Sequence, residues 1–416
     1  MVPKFDRDLQ FYKFCAYGFL KNLRFFEPFL YLFLLEKGLS FLQIGTLVTV
    51  RELVRNLLEI PSGLFADAWG RRRSMIISFI FYIGSFISFY FFAEYFLFLA
   101  AMIFYAIGDA FRTGTHKAMI FEYLKIKGWE GQKAHYYGFT RSWSQIGSGI
   151  SSLAAGGLVF YSGRYDIIFL YTAIPYLINL ALMVSYPKIL DGMQHKAPSR
   201  EIIDMMKHNA HEIWRSIKDI SRFRALSNAS IYSGYYRAAK DYLQPILFVL
   251  FMGIMANSRM DREKGTALAI GVVYFIIFLL TSVASRKSGQ VLEHFKKATI
   301  VLNGTLVIGF SLGILSGVLQ LSTSTFWLVL GAILFAGIYI VENIRKPLGV
   351  SYISEIFNKD ILATTLSVES QLNSIFAALL APVFGFIADL FGVGWAFMLI
   401  SAGLLVLYPV WKVRGT

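Results

Sequence analysis

Charged side chains interrupt the long apolar stretches of this chain, and their types limit the chemistry available to it. Arg24 and Glu27, then Arg51, Glu52 and Arg55, then Asp109, Arg112 and His116 do so in the first half. Arg237, Lys240, Asp241, Glu342, Arg345 and Glu369 do so in the second. The cations Arg112, Arg237, Lys240 and Arg345 suit charge-assisted hydrogen bonds to an anionic or carbonyl-rich small molecule. Asp109, Asp241 and Glu342 suit proton carriage, because burial disfavours an ionised carboxyl and a neighbouring Arg favours it. A solute arriving at the Arg would tip that balance and couple the two movements. Asp109–Arg112 and Glu342–Arg345 each stand three residues apart, so either pair could instead be an internal salt bridge that only fixes packing. His116 could relay a proton or ligate a metal, but a lone helical His is more often a satisfied polar group, and few soft ligands accompany it. Six His and one Cys supply no nucleophile–base set and no zinc spacing. No phosphate-cradling loop of the Walker type occurs. The expectation is therefore no enzyme, no cofactor and no resident metal, with any driving force taken from an ion gradient or the solute's own gradient.

Positioning such charges in apolar surroundings requires membrane helices. Of 416 residues, 56% are hydrophobic, 17% aromatic and only 16% charged, with a mean hydropathy of +0.56. Soluble domains carry about 25% charged residues. A spanning helix needs about 20 mostly apolar residues, and runs of that order fill nearly the whole chain. Twelve are expected, near 10–35, 40–66, 74–93, 96–123, 136–161, 166–187, 224–256, 265–285, 298–319, 325–351, 361–388 and 391–411. The polar stretch 188–223 divides them six and six, which gives bundles at 1–187 and 224–416 joined by a linker. Within it Ile202, Ile203, Met206, Ile213, Trp214 and Ile217 recur at helical spacing, so an amphipathic helix on the cytoplasmic membrane face is expected.

The net charge of +14 would suggest nucleic acid in a soluble protein. Here the Lys and Arg concentrate in alternate loops, which reads as positive-inside topology with both termini in the cytoplasm and no nucleic-acid partner. Lys13, Lys21, Arg24 and Glu27 break any signal-peptide pattern in the first run. The compact loops suit a cell inner membrane, and a monomer is expected. The halves also echo each other in order. Glu27-Pro28 parallels Gln244-Pro245, while Asp109, Arg112 and Glu122 parallel Glu342, Arg345 and Glu355. Arg141, Gln145 and Gly157 parallel Glu369, Asn373 and Gly385.

Between the second and third runs lies Gly63-Leu64-Phe65-Ala66-Asp67-Ala68-Trp69-Gly70-Arg71-Arg72-Arg73. Gly63 and Gly70 permit close approach and a tight turn. Asp67 can cap a helix start, and the arginines can bind carboxylates or lipid phosphates. This stretch resembles the loop signature of the major facilitator superfamily. The resemblance, with the six-plus-six division, implies an all-α membrane protein of two pseudo-symmetric six-helix bundles that moves solutes by alternating access. It also implies that helices 1, 4, 7 and 10 line a central cavity. Asp67 and Arg71 would then be latch residues, with Glu122 and Arg141 near the cytoplasmic ends of helices 4 and 5, and Glu369 in helix 11, as gating residues. The family usually has a basic residue after the Asp where this chain has Ala68, and the second-half counterpart near Arg286-Lys287-Ser288-Gly289 is degenerate.

The function implied is proton-coupled transport of a small anionic or amphipathic organic solute. Its coupling residues would be Arg24, Glu27, Asp109, Arg112, His116, Arg237, Lys240, Asp241, Glu342 and Arg345. The aromatic load (39 Phe, 23 Tyr) favours efflux. The alternative is an inorganic or divalent metal ion transporter built on Asp109, His116 and Glu342. A non-transporting receptor or scaffold on the same fold is the further alternative.

Overall fold

The structure is a computed structural model that describes residues 5–192, 207, 220–257, 261–356 and 362–413. Among these every regular element is helical. A bilayer offers the backbone no water, so each N–H must find its carbonyl within its own segment.

The first half comprises α1 (Leu9–Lys21), α2 (Leu30–Glu36), α3 (Phe41–Trp69), α4 (Arg71–Phe91), α5 (Tyr95–Arg112), α6 (Thr115–Ile126), α7 (Lys133–Ser162) and α8 (Ile167–Val184). The second comprises α9 (Ile220–Ala239), α10 (Leu243–Ile254), α11 (Arg262–Phe295), α12 (Ala298–Leu319), α13 (Thr325–Ile356), α14 (Leu362–Phe391), α15 (Val393–Val406) and α16 (Tyr408–Trp411).

Four expected runs are broken, 391–411 by the single residue Leu407 between α15 and α16 and three others more fully. Run 10–35 is α1 and α2, split at residues 22–29 where Pro28 lacks an N–H. Run 96–123 is α5 and α6, split at Thr113-Gly114, with Gly114 at φ +80°. Run 224–256 is α9 and α10, split by a tight turn at Lys240–Tyr242. The charges cluster at these breaks: Arg24 and Glu27 in the first, Asp109 and Arg112 just before the second, Lys240 and Asp241 in the third. Seven helical segments among the described residues are long and apolar enough to cross a membrane, counting α5 and α6 as one. The remaining expected runs are split, short or too polar to qualify. α3, for example, carries Arg51, Glu52, Arg55, Glu59 and Asp67.

The chain divides into two compact units, Met1–Phe29 with Val54–Met206, and Leu30–Leu53 with Lys207–Thr416. In the first, α4 packs on α5 and α8. Buried Ser78 and Ser85 of α4 donate to the carbonyls of Gly108 (2.6 Å) and Ala101 (2.7 Å) of α5, and Ser74 donates to Phe111 (2.9 Å). Each such bond contributes about 1 kcal/mol net, and more is lost if the partner is removed. In the second unit α9 packs on α14, and α12 on α13 and α15. The unit also includes α2 and the first half of α3. Leu30, Tyr31, Leu32, Phe33 and Leu34 are all buried, and the Tyr31 N–H donates to Gln244 Oε1 at 2.7 Å.

The amphipathic helix expected in 188–223 falls largely outside the described residues. Its first residues belong to the first unit, with Lys188–Asp191 forming a tight turn and Leu190 buried.

Candidate functional site

The loop between α3 and α4 is built around a residue that local spacing does not reveal. Gly70 adopts φ +105°, and a Cβ there would stand 2.9 Å from the Asp191 carboxyl carbon. Asp191 Oδ1 accepts the Arg72 N–H at 2.7 Å, so it caps the start of α4, where an anion is favoured. Arg72 Nη1 donates to the carbonyls of Val184 (3.3 Å) and Tyr186 (3.2 Å), which close the end of α8. Arg71 lies 3.8 Å from Asp67 and 3.5 Å from Glu122. Asp67 itself is more than half exposed. Gly63 sits within α3 with open space where a side chain would start. Arg141 is exposed on α7. In the second unit the Glu369 carboxylate accepts from Asn373 of the same helix at 2.7 Å. Replacing Asp191 by Ala is expected to lower stability by about 1 kcal/mol, the usual worth of such a cap. Thermal unfolding in detergent measures this, and an unchanged melting temperature would show that the cap contributes nothing.

The first unit holds a closed network at the end of α5. Asp109 Oδ1 accepts from Arg112 Nη2 (2.6 Å) and from the Tyr82 hydroxyl (2.8 Å), while Arg112 Nε donates to that hydroxyl (3.1 Å). Arg55 of α3 approaches the other oxygen at 3.6 Å. Two cations and a phenol therefore hold one carboxylate, and the i, i+3 pairing read from spacing forms here. Tyr82 gave no sequence signal. Arg24 and Glu27 pair at 3.3 Å at the break before α2. His116 is buried and stacked on Tyr17 with ring centroids 3.5 Å apart, and its Nε2 lies 3.3 Å from the Tyr186 hydroxyl. That is the environment of a packed polar ring. Among the described residues no three His, Cys, Asp or Glu side chains converge in a way that could hold a metal.

The second unit holds two centres. In one, the Glu52 carboxylate, 2% exposed, pairs with Arg51 at 3.2 Å and with Arg237 of α9 at 3.1 Å. Arg237 also donates to Ser374 of α14 at 3.3 Å. Lys240 and Asp241 pair at 3.3 Å in the turn that follows, and Tyr339 donates to the Lys240 carbonyl at 2.7 Å.

In the other centre Glu342 and Arg345 do not form the salt bridge that their spacing allowed. Arg345, 3% exposed, turns its guanidinium to Asn228 (carbonyl 2.8 Å, side-chain oxygen 3.0 Å) and to Thr305 (2.8 Å), and also donates to the Leu302 carbonyl. Its charge lies over the Tyr232 ring at 5.2 Å. Asn228 in turn reaches Asn303 (3.2 Å) and the Trp411 carbonyl (3.0 Å), so Arg345 is one member of a network tying α9, α12, α13 and α16. Glu342, 5% exposed, is left with Ser233, whose hydroxyl donates to Oε1 at 2.7 Å. Its Oε2 is buried and has no hydrogen-bond partner among the described residues.

The pattern of the Major Facilitator Superfamily matches residues 14–368. The uncharacterized MFS-type transporter YxaM of Bacillus subtilis is 25% identical over 95% of this chain and 93% of its own length. The uncharacterized MFS-type transporter MJ1560 of Methanocaldococcus jannaschii is 23% identical, over 89% and 88%. Among solved structures, a mutant form of the nucleoside transporter NupG superposes with a TM-score of 0.72 at 14% identity, covering 96% of this chain and 97% of that one. A peptide transporter of the POT family solved with sulfate gives 0.66 at 13%, covering 97% and 94%. This is a multi-pass membrane transporter and not an enzyme: the chain belongs to the major facilitator superfamily.

Proposed function

We propose that the chain crosses the membrane twelve times with both termini in the cytoplasm, and exchanges protons for a small anionic or amphipathic organic solute by alternating access. The observation that carries the reading is Glu342. Asp109 is held by Arg112, Arg55 and Tyr82, and Asp241 lies beside Lys240. Among the described residues Glu342 has one neutral donor and one buried oxygen with no hydrogen-bond partner. An isolated ionised carboxylate in apolar surroundings is costly, and a proton on Oε2 removes the charge. Lys346, Arg345 and Arg237 supply the surrounding positive field, so a shift in that field on solute binding would let the proton leave. Glu342 is thus the proton carrier. Arg237, paired with Glu52 and itself about one-fifth exposed, is assigned to meet the anionic solute.

The test is flux in proteoliposomes under imposed pH gradients of either sign, across pooled organic anions, amphipathic compounds and divalent metals. Organic flux that follows the gradient supports the reading, and its polarity gives the direction. Flux of metal alone, or organic flux indifferent to pH, overturns it.

A further inference from the structure

Two buried atoms of opposite charge stand unused three residues apart. Glu342 Oε2 and Arg345 Nε each lack a hydrogen-bond partner among the described residues. Positions i and i+3 share a helix face, and each side chain feels the other's charge, yet no ion pair joins them. What keeps them apart lies on Arg345. Its two terminal nitrogens are committed to a cradle formed by Asn228, Leu302 and Thr305. The other ionisable groups around Glu342 are Lys346 on its own helix, and Arg237 and Tyr232 on α9. Arg237 pairs with Glu52 at 3.1 Å, and the Tyr232 ring lies under the Arg345 guanidinium.

The cradle depends on the residues that follow α16. At Lys412 the backbone leaves the helix, with φ −59° and ψ 120°, so the N–H and carbonyl of Val413 need partners from elsewhere. The Asn303 side chain serves both. Its amide nitrogen donates to the Val413 carbonyl at 2.7 Å, and its oxygen accepts the Val413 N–H at 3.0 Å. Val413 is buried in one apolar cluster with Ala225, Leu226, Val301, Leu302 and Leu348, and Trp411 lies against Phe223 and Phe376. The Asn228 amide nitrogen donates to the Trp411 carbonyl at 3.0 Å and to Asn303 at 3.2 Å. An amide side chain has one donor end and one acceptor end. With the nitrogen held by Trp411 and Asn303, the oxygen must face Arg345. Residues 411–413 thereby set Asn228, and Asn228 sets Arg345.

We propose that Asn228, oriented by residues 411–413, is a positioning residue for proton uptake at Glu342. It withholds Arg345 from the carboxyl. When the segment 411–413 leaves its seat, Arg345 turns to Glu342 and proton uptake stops. This rests on the reading of Glu342 as the proton carrier. A carboxylate paired with a guanidinium is satisfied without a proton, whereas one left in apolar surroundings is not. The two arrangements exchange one set of buried acceptors for another on the same cation, so the docked segment keeps transport switched on.

The test uses the full chain in liposomes and the neutral reagent dicyclohexylcarbodiimide. It adds to protonated carboxyls in apolar sites and leaves an N-acylurea that peptide mass spectrometry locates. Wild-type Glu342 should be modified, and Glu342→Gln should show nothing at that position. An opposite charge brought close shifts the balance between the two forms of a carboxyl by about one to three decades. Asn228→Leu removes the side-chain oxygen that holds Arg345, so modification of Glu342 should fall at least about tenfold. Val413→Asp expels the segment from its apolar cluster without touching Arg345 and should act in the same direction. Asn228→Asp gives up the donor to Trp411 but holds Arg345 by charge, so modification should stay near the wild-type rate. The sign separates positioning from packing, because a merely loosened unit would admit the reagent faster. Asn228→Leu and Val413→Asp act at opposite ends of the chain of contacts, so either one recovered in folded form decides. An undiminished rate in that variant, an equal fall in Asn228→Asp, or an unreactive wild-type Glu342 overturns the proposal. Flux driven by a pH gradient should fall in the same order as modification. If modification follows this order while flux ignores pH, the proton-exchange reading falls and the positioning of Arg345 stands.

Discussion

Glu342→Gln is expected to abolish uphill transport driven by a pH gradient while solute exchange down its own gradient persists. Gln is nearly isosteric, its carbonyl oxygen still accepts from Ser233, and its amide can neither take up nor release a proton. The fold should be undisturbed, because the Arg345 network is anchored on Asn228 and Thr305 and does not include Glu342. Driven accumulation should fall to the level of protein-free liposomes. Linkage adds a second readout. If one proton is coupled to the solute, the log of the wild-type affinity changes by up to about one unit per pH unit, and in the variant it should be flat. Full accumulation in the variant would remove Glu342 from the coupling step and direct attention to Asp109 and Asp241.

Arg345→Ala is expected to act on stability and not on solute recognition. It would leave the Asn228 side-chain oxygen without the Arg345 donor in a buried site and take one donor each from the Asn228 and Leu302 carbonyls and the Thr305 hydroxyl. A buried group deprived of its partner costs about 1–3 kcal/mol, and a cavity is left where the guanidinium packed, so a loss of about 3 kcal/mol is expected. Size-exclusion profiles and thermal unfolding in detergent should show poor recovery and a lowered transition. Arg345→Lys should fall in between, since an ammonium keeps the charge but cannot span the same acceptors with one rigid fork. A folded, stable Arg345→Ala protein with weakened solute affinity would contradict this assignment and restore Arg345 as a binding residue.

These expectations separate what is local in the chain from what is not. Apolar periodicity, run length and the placement of Lys and Arg follow from the backbone repeat and the bilayer, so membrane class and helical architecture were legible directly. So were the charges worth watching, because a charged group inside an apolar run is conspicuous whatever surrounds it. The α3–α4 loop was legible from Gly70 and its arginines, but its cap was not, since Asp191 lies 119 residues from the Arg72 N–H it accepts. Helix breaks at Pro28, Gly114 and Lys240–Tyr242 were under-read because the charges that cluster there read as interruptions inside one long helix, whereas the helix itself stops at them.

Pairing shows the division most clearly. Asp109–Arg112 and Glu342–Arg345 share one spacing, and that spacing places two side chains on one helix face. Whether they then meet depends on competitors. At Asp109, Tyr82 and Arg55 complete the pair; at Arg345, Asn228 and Thr305 displace the carboxylate and leave Glu342 half satisfied. The Glu52–Arg237 pair and the Asp389 cap on α3 join residues 185 and more than 300 positions apart. The sequence by itself determined a membrane transporter fold and the inventory of its buried charges. Only the tertiary structure decided which charge neutralises which, because partner choice in a low-dielectric interior is set by the nearest well-aligned donor, and chain spacing carries no record of it.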